Sequence, residues 1–251
     1  MLKVYGTPRS PPVNCVRFTA NYLALDYEFV FVNQMEGEHR SEWYMKLHPA
    51  GKVPSIDDDG FSMFASVAIC RYLARKASSP IYPADISAAA IVDAWSHFAE
   101  NHVYVAICKV LFNHFYASMM GAEVDERSLR EGREWLARFL PIVDARIGEH
   151  GNVAGAAFSL ADIILLATVD PAEVIELDLA PYPKLAAWRE NLRSQPFYTA
   201  CHGSYAEAVE QVQAEPATNR HSYWAREVWM PRMASDPANE RSKDINRANE
   251  L

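Results

Sequence analysis

From residue 1 to 77 the apolar positions come in short runs separated by turn residues. Leu2 to Tyr5 reads as a strand, and Gly6 to Pro12 breaks it with one glycine, three prolines and a serine. Val13 to Leu25 has helical spacing, with Val16, Ala20 and Leu23 on one face and Cys15, Phe18 and Tyr22 beside them. Glu28 to Val32 is continuously apolar after its first residue, which predicts a strand buried on both faces. Gln34 to Leu47 is polar, with a short helix beginning near Ser41. Val53 to Ile56 and Ser62 to Phe64 flank Asp57-Asp58-Asp59-Gly60, whose last two residues tolerate positive φ and so predict a hairpin. Ser66 to Lys76 then reads as a helix.

Ser78 to Asp85 holds two prolines and two serines and is the candidate linker. Beyond it the strand signals stop. Ala88–Met120 and Asp125–Glu149 read as long helices, Ser159–Leu177 as a third kinked near Pro171, Pro183–Arg193 as a fourth and Tyr198–Gln213 as a fifth. Strands followed by a block of helices predict two domains. The order β-α-β-α-β-β-α gives an α/β thioredoxin-like domain over 1–77, and an all-α domain covers 88–213. From Pro216 the chain becomes polar and charged yet carries Tyr223, Trp224 and Trp229. Three large aromatics so close together predict that the C-terminal extension, 214–251, packs on the body, with its last residues fraying.

Composition narrows the function classes. Half the residues are apolar, enough for a true core. The net charge of −8 argues against a nucleic-acid partner. No apolar run approaches the roughly 20 residues of a membrane span, and Met1 to Gly6 lacks a signal-peptide layout. Cys15, Cys70, Cys108 and Cys201 form no CxxC pair, which disfavours a zinc site or disulfide framework and fits a reducing, cytoplasmic setting. No metal site is expected.

Several positions can carry chemistry. Ser10, before Pro11-Pro12, can be an N-cap with proline at the first helical position. The same hydroxyl can donate to a bound thiolate, which a helix N-terminus favours. Pro54, after Gly51 and Lys52, can begin an edge strand. It can also sit in a cis X-Pro bond that turns the Val53 N–H and C=O outward to an extended peptide; the residues alone favour the edge strand. Ser66 can cap its helix or contribute to an anion site. His39, Arg40 and Lys52 are by themselves a solvated basic face.

In this order the segments resemble the glutathione transferase superfamily. Gly37-Glu38-His39-Arg40-Ser41-Glu42, continuing to Pro49-Ala50-Gly51-Lys52-Val53-Pro54, is similar to the glutathione-site loop of theta- and phi-type members, as is Ser10 before Pro11-Pro12-Val13. Ser66-Val67-Ala68-Ile69-Cys70-Arg71-Tyr72-Leu73 is similar to that family's Ser-x-Ala-Ile-x-x-Tyr-Leu helix. Phe158-Ser159-Leu160-Ala161-Asp162 resembles its buried helix start, where Ser159 caps and Asp162 reaches back to the freed N–H groups. Tyr182 to Trp188 and Gln195-Pro196-Phe197 match the close of its helical domain, so the resemblance spans residues 1–205.

The resemblance implies glutathione as co-substrate and a homodimer. It implies that Ser10 holds the thiolate, with Asn14 and Tyr5 as alternatives. Val53, beside Pro54, would pair with the cysteinyl backbone, and Ser66 would bind the γ-glutamyl carboxylate. His39, Arg40 and Lys52 would meet the glycyl carboxylate as three basic side chains. Tyr104, Ala106, Phe112, Phe115 and Tyr116 would line the electrophile pocket, lidded by Trp224, although several of these aromatics read equally well as core. Two positions depart from the family. Ala65 stands where Glu, Gln or Asp holds the ligand's ammonium, a contact worth about 1.5–3 kcal/mol unless another acid replaces it. Cys15 stands where Arg is common and reads as a buried apolar residue. Phe29 to Pro54 also resembles bacterial β-aryl etherases. The implied reaction is thiolate attack on a hydrophobic electrophile, by conjugation or by displacement of an aryl ether or halide. The alternative is a non-catalytic relative that binds apolar ligands or partner proteins; Ala65 favours it, and Ser10, Val53-Pro54 and Ser66 oppose it. Thiol–disulfide exchange would need a cysteine where Ser10 stands.

Overall fold

A computed structural model describes residues 1–213. Four strands form one sheet in the order β2-β1-β3-β4: β1 (Leu2–Gly6), β2 (Tyr27–Phe31), β3 (Ser55–Asp58) and β4 (Phe61–Phe64). β1 pairs parallel with β2 and antiparallel with β3, and β3 and β4 form the hairpin turned at Asp59-Gly60. The parallel step is bridged by α1 (Pro11–Tyr22), the β2–β3 step by two 3-10 turns and α2 (Glu42–Leu47), and α3 (Ser66–Lys76) follows β4. This is the thioredoxin-like arrangement. β2 departs from expectation: it is an edge strand, and its residues are half-buried or exposed rather than buried on both faces. On Phe29 the cover is a cation, since the Arg17 guanidinium lies 4.6 Å from the ring centroid.

The rest of the described chain is helical: α4 (Ile86–Phe98), α5 (Val105–Leu111), α6 (Ala117–Met120), α7 (Glu126–His150), α8 (Leu160–Val169), α9 (Pro183–Arg193), α10 (Pro196–Thr199) and α11 (Tyr205–Gln213). The expected long first helix is present, but π-helical turns at Ala99–Tyr104 and Phe112–Tyr116 divide it into α4, α5 and α6. The third helix does not reach Leu177. Pro171 cannot extend the hydrogen-bond ladder, so α8 ends at Val169 and Asp170–Glu173 tightens into a 3-10 turn. The fifth is broken into α10 and α11 across Cys201 to Ser204. Extension residues Tyr223, Trp224 and Trp229 lie outside the described residues. The 78–85 segment is partly anchored: Ile81 is buried and its carbonyl accepts the Leu160 N–H at 2.8 Å.

α8 is buried along its whole length. A helix with no wet face depends on its ends being satisfied internally. Asp162, fully buried, accepts the Ser159 N–H, the Ser159 hydroxyl and the Val153 N–H, each at 2.9 Å. Burial pushes its carboxyl pKa up, while these bonds pull it back down. Asp162→Ala strands two buried N–H groups, and we expect a loss of about 2–5 kcal/mol in urea unfolding. A loss below about 1 kcal/mol would show that this junction does not hold α8 in place.

Candidate active site between the sheet and the helices

The turn that presents Ser10 is set by packing. An ideal Cβ on Gly6 would lie 2.5 Å from a Val13 methyl carbon, so only glycine lets β1 end against α1. The Ser10 N–H then closes the turn onto the Thr7 carbonyl at 3.0 Å. The Ser10 carbonyl accepts both the Val13 and the Asn14 N–H at 2.9 Å. Pro11 and Pro12 have no N–H to offer, so no donor is left for the side chain, and the Ser10 hydroxyl makes no capping bond. It occupies the N-cap position without doing the work of an N-cap. Half-buried, it forms no hydrogen bond among the described residues.

The two alternatives for that role are placed differently. Asn14 is fully buried, its amide donating to the Pro8 carbonyl at 2.8 Å and its oxygen accepting from Arg17 at 3.3 Å. Tyr5 lies in β1 with its ring 6.1 Å from that of Trp43, and burial pushes its pKa up, away from an anionic form.

Before β3, close approach of the backbone brings three predicted residues together. Gly51 has φ +55, and a Cβ there would stand 3.0 Å from the His39 carbonyl and 3.4 Å from Arg40. Lys52 therefore follows directly on the His39-Arg40 turn, with Arg40 and Lys52 exposed. Tyr44, fully buried, donates its hydroxyl to the Lys52 carbonyl at 2.8 Å and contacts the Ser55 hydroxyl at 3.3 Å. Burial raises its pKa to about 12. Burial, with Arg40 beside it, lowers the His39 pKa and so disfavours its charged form. The Val53–Pro54 bond is cis, against the edge-strand expectation. Pro54 is buried and precedes β3, which is interior to the sheet.

Ser66 is not the cap of its helix. Ala65 holds the N-cap position at φ +72, a conformation costing a non-glycine residue of order 1–3 kcal/mol, and has no side chain to cap with. The first N–H groups of α3 thus stay unmet by any side-chain cap, beside the buried Ser66 hydroxyl. A cavity of about 30 Å³ lies under this helix start, lined by Pro11, Pro12, Ser66, Glu100 and Tyr104 among others. It joins Ser66 to Tyr104. Ser10, Val53, the basic trio and the remaining aromatics are not among its lining residues.

Of the aromatics expected for the electrophile pocket, Trp224 lies outside the described residues and the other four fall in the two π-helical turns, Tyr104 in the first and Phe112, Phe115 and Tyr116 in the second. A π turn carries one more residue than an α turn, which changes the angle at which side chains leave the helix. Phe115 and Tyr116 stack edge to face at 5.1 Å and pack on the core, while Phe112 is exposed. Ala106 does not line the cleft; it is fully buried, with its carbonyl against Gly132 of α7. Burial raises the pKa of Tyr104, Cys108, Tyr116 and Tyr205, which leaves them uncharged at neutral pH. Sequence reasoning missed Arg9, Glu100 and Tyr205. Arg9 had one signal, its place next to Ser10 in the turn; the other two look like ordinary helix positions. Tyr44→Phe leaves the Lys52 carbonyl without its buried donor, and we expect it to cost about 1–2 kcal/mol in thermal or denaturant unfolding. No measurable cost would mean the Lys52 turn is held by other contacts.

The family model described as "Glutathione S-transferase, N-terminal domain" matches residues 1–75, and the corresponding C-terminal domain model matches residues 106–196. Glutathione S-transferase D7 of Anopheles gambiae is 30% identical over 194 residues, covering 76% of this chain and 86% of that protein. Glutathione S-transferase 1 of Zea mays is 29% identical, covering 78% and 92%. Among solved structures, glutathione transferase F7 of Populus trichocarpa superposes with a TM-score of 0.73 at 27% identity, covering 83% of this chain and 99% of that one. A Drosophila mojavensis glutathione transferase homologue with bound glutathione superposes with a TM-score of 0.72 at 28% identity, covering 86% and 97%. The chain belongs to the glutathione S-transferase family.

Proposed function

We propose that the protein is a glutathione transferase in which Ser10 stabilises the glutathione thiolate for attack on a hydrophobic electrophile. The observation that carries this reading is the Ser10 hydroxyl, left uncommitted at the start of α1 because two prolines remove the donors it would otherwise cap. Glutathione supplies the sulfur nucleophile. The Ser10 hydroxyl donates to that sulfur; one hydrogen bond to a charged group, about 1.5–3 kcal/mol, corresponds to about 1–2 units of acidification of the thiol. The uncapped start of α3 and the Ser66 hydroxyl receive the γ-glutamyl carboxylate. Val53, with Pro54, pairs with the extended peptide, and Arg40 and Lys52 meet the glycyl carboxylate, with His39 as a hydrogen-bonding partner. Tyr104, Phe112, Phe115 and Tyr116 form the apolar wall for the electrophile, an aryl halide or ether being the class that suits an aromatic wall. The active unit is a homodimer acting in the cytoplasm. No helix of the described residues is long and apolar enough to cross a membrane.

Glu100 fills the gap left by Ala65 in this reading. Glu100 and Ser66 line the same cavity, which has room for one group the size of water or ammonium. Among the described residues the ionic contact of Glu100 is a distant one, 3.7 Å from His97. Glu100→Gln is expected to weaken reduced glutathione about tenfold or more by calorimetry. An unchanged affinity would leave Ala65 uncompensated and favour the non-catalytic binding role.

The direct test is calorimetric titration with reduced glutathione, then turnover of 1-chloro-2,4-dinitrobenzene by the wild type and Ser10→Ala. Saturable binding in roughly the 1 μM–1 mM range is expected, with kcat/KM falling about 10- to 100-fold in the variant. Unchanged turnover removes Ser10 from the mechanism. No binding at several times the upper end of that range replaces catalysis with a ligand- or protein-binding role.

A further inference from the structure

Arg9 is 8% exposed, yet its guanidinium has no carboxylate partner among the described residues. Most of the side chain is out of water, which leaves its charged head little solvent screening. The peptide unit that follows Arg9 is pinned through both of its polar groups. The Tyr205 hydroxyl donates to the Arg9 carbonyl at 2.5 Å, and the next N–H, that of Ser10, closes the turn on Thr7. The guanidinium carbon lies 6.0 Å from the centroid of the Tyr116 ring, and the Tyr116 hydroxyl is 3.5 Å from that of Tyr205. The ring gives a weak cation–π contact at the edge of the useful range, and a phenol kept neutral by burial supplies no counter-charge. Tyr104, on the same run of helix as Tyr116, is likewise kept neutral by burial and supplies no counter-charge. The result is a planar, permanently charged donor held beside the candidate nucleophile site, against an aromatic wall, with its ionic valence unspent.

We propose that Arg9 and the Tyr116 ring form an anion subsite that selects second substrates carrying a carboxylate on an aromatic ring. The guanidinium takes the carboxylate, and Tyr116 and Phe115 take the ring. For turnover this rests on the transferase reading; for binding it stands alone. The Arg9 side chain is a specificity-determining group and takes no part in bond making.

The test separates the two. The full chain, without glutathione, is titrated calorimetrically at neutral pH and low salt with 3,5-dinitrobenzoate and with neutral 1,3-dinitrobenzene. The benzoate is expected to bind at least about tenfold more tightly, Arg9→Gln to abolish that preference and Arg9→Lys to keep part of it. Equal binding of the two probes by the wild type overturns the proposal, whether or not the variants fold, and so does a preference that survives in Arg9→Gln. With glutathione present, the ratio of kcat/KM for 4-chloro-3,5-dinitrobenzoate to that for 1-chloro-2,4-dinitrobenzene should fall in Arg9→Gln by the same factor. An equal loss on both substrates, with the thiolate titration displaced to higher pH, would assign Arg9 to the nucleophile and sink the selectivity role. If neither compound is turned over while the benzoate preference persists, the transferase reading fails and the anion subsite stands.

Discussion

The structure depends on burying α1 from every side. Pro11 and every residue from Val13 to Ala20 are inside, including the polar Asn14, Arg17 and Thr19. One face of the helix meets the sheet domain, where the Cys15 and Cys70 sulfurs lie 3.4 Å apart and Arg17 covers Phe29. The other meets the helical half, where Phe18 packs at 5.0 Å on Tyr198 and 5.6 Å on His202, and Asn21 donates to the Phe197 carbonyl at 3.0 Å. At about 1.5–3 kcal/mol for each large side chain taken out of water, an upper bound, a helix wetted on one face would lose much of this gain. The two halves therefore share a core element.

That sharing explains why the Ser10 hydroxyl at the start of α1 is left without a capping bond. A buried helix must account for its terminal N–H groups. Here Pro11 and Pro12 remove two of them and the Ser10 carbonyl takes the next two. The backbone satisfies itself, and the hydroxyl is released. At α3 the accounting goes the other way. Ala65, at positive φ, brings neither a cap nor a charge, and that helix start is left open. One terminus is closed and frees a side chain; the other is open and offers its backbone.

Much of this could be read from the residues. The Asp59-Gly60 turn, the α1 and α3 spans, the Asp162 reach-back and the switch from strands to helices all depend on local chemistry, and local chemistry is written in sequence. Three features depended on partners far along the chain. β2 looks like a doubly buried strand because its composition does not reveal that it lies at the sheet edge. The π turns leave no mark in an apolar pattern that continues through them. Pro54 could not be placed without knowing that β3 would be flanked on both sides. At the site, Ser10, Ser66 and the Lys52 loop were legible as motif positions. Arg9 and Glu100 were not, because their significance lies in the absence of a close ionic partner, and an absence is visible only in three dimensions.

The bond from Tyr205 to the Arg9 carbonyl ties two residues 196 positions apart. During synthesis, the sheet and its serine turn leave the ribosome long before α11 exists. The sheet half can collapse on its own strand pairings and close the Ser10 turn locally on Thr7, but the Tyr205 bond to that turn forms only after nearly the whole described chain has emerged. Until then the buried faces of α1 and α8 lack their final cover. The last tie on this turn is therefore a late one in the order of synthesis, set by a residue from the far end of the described chain.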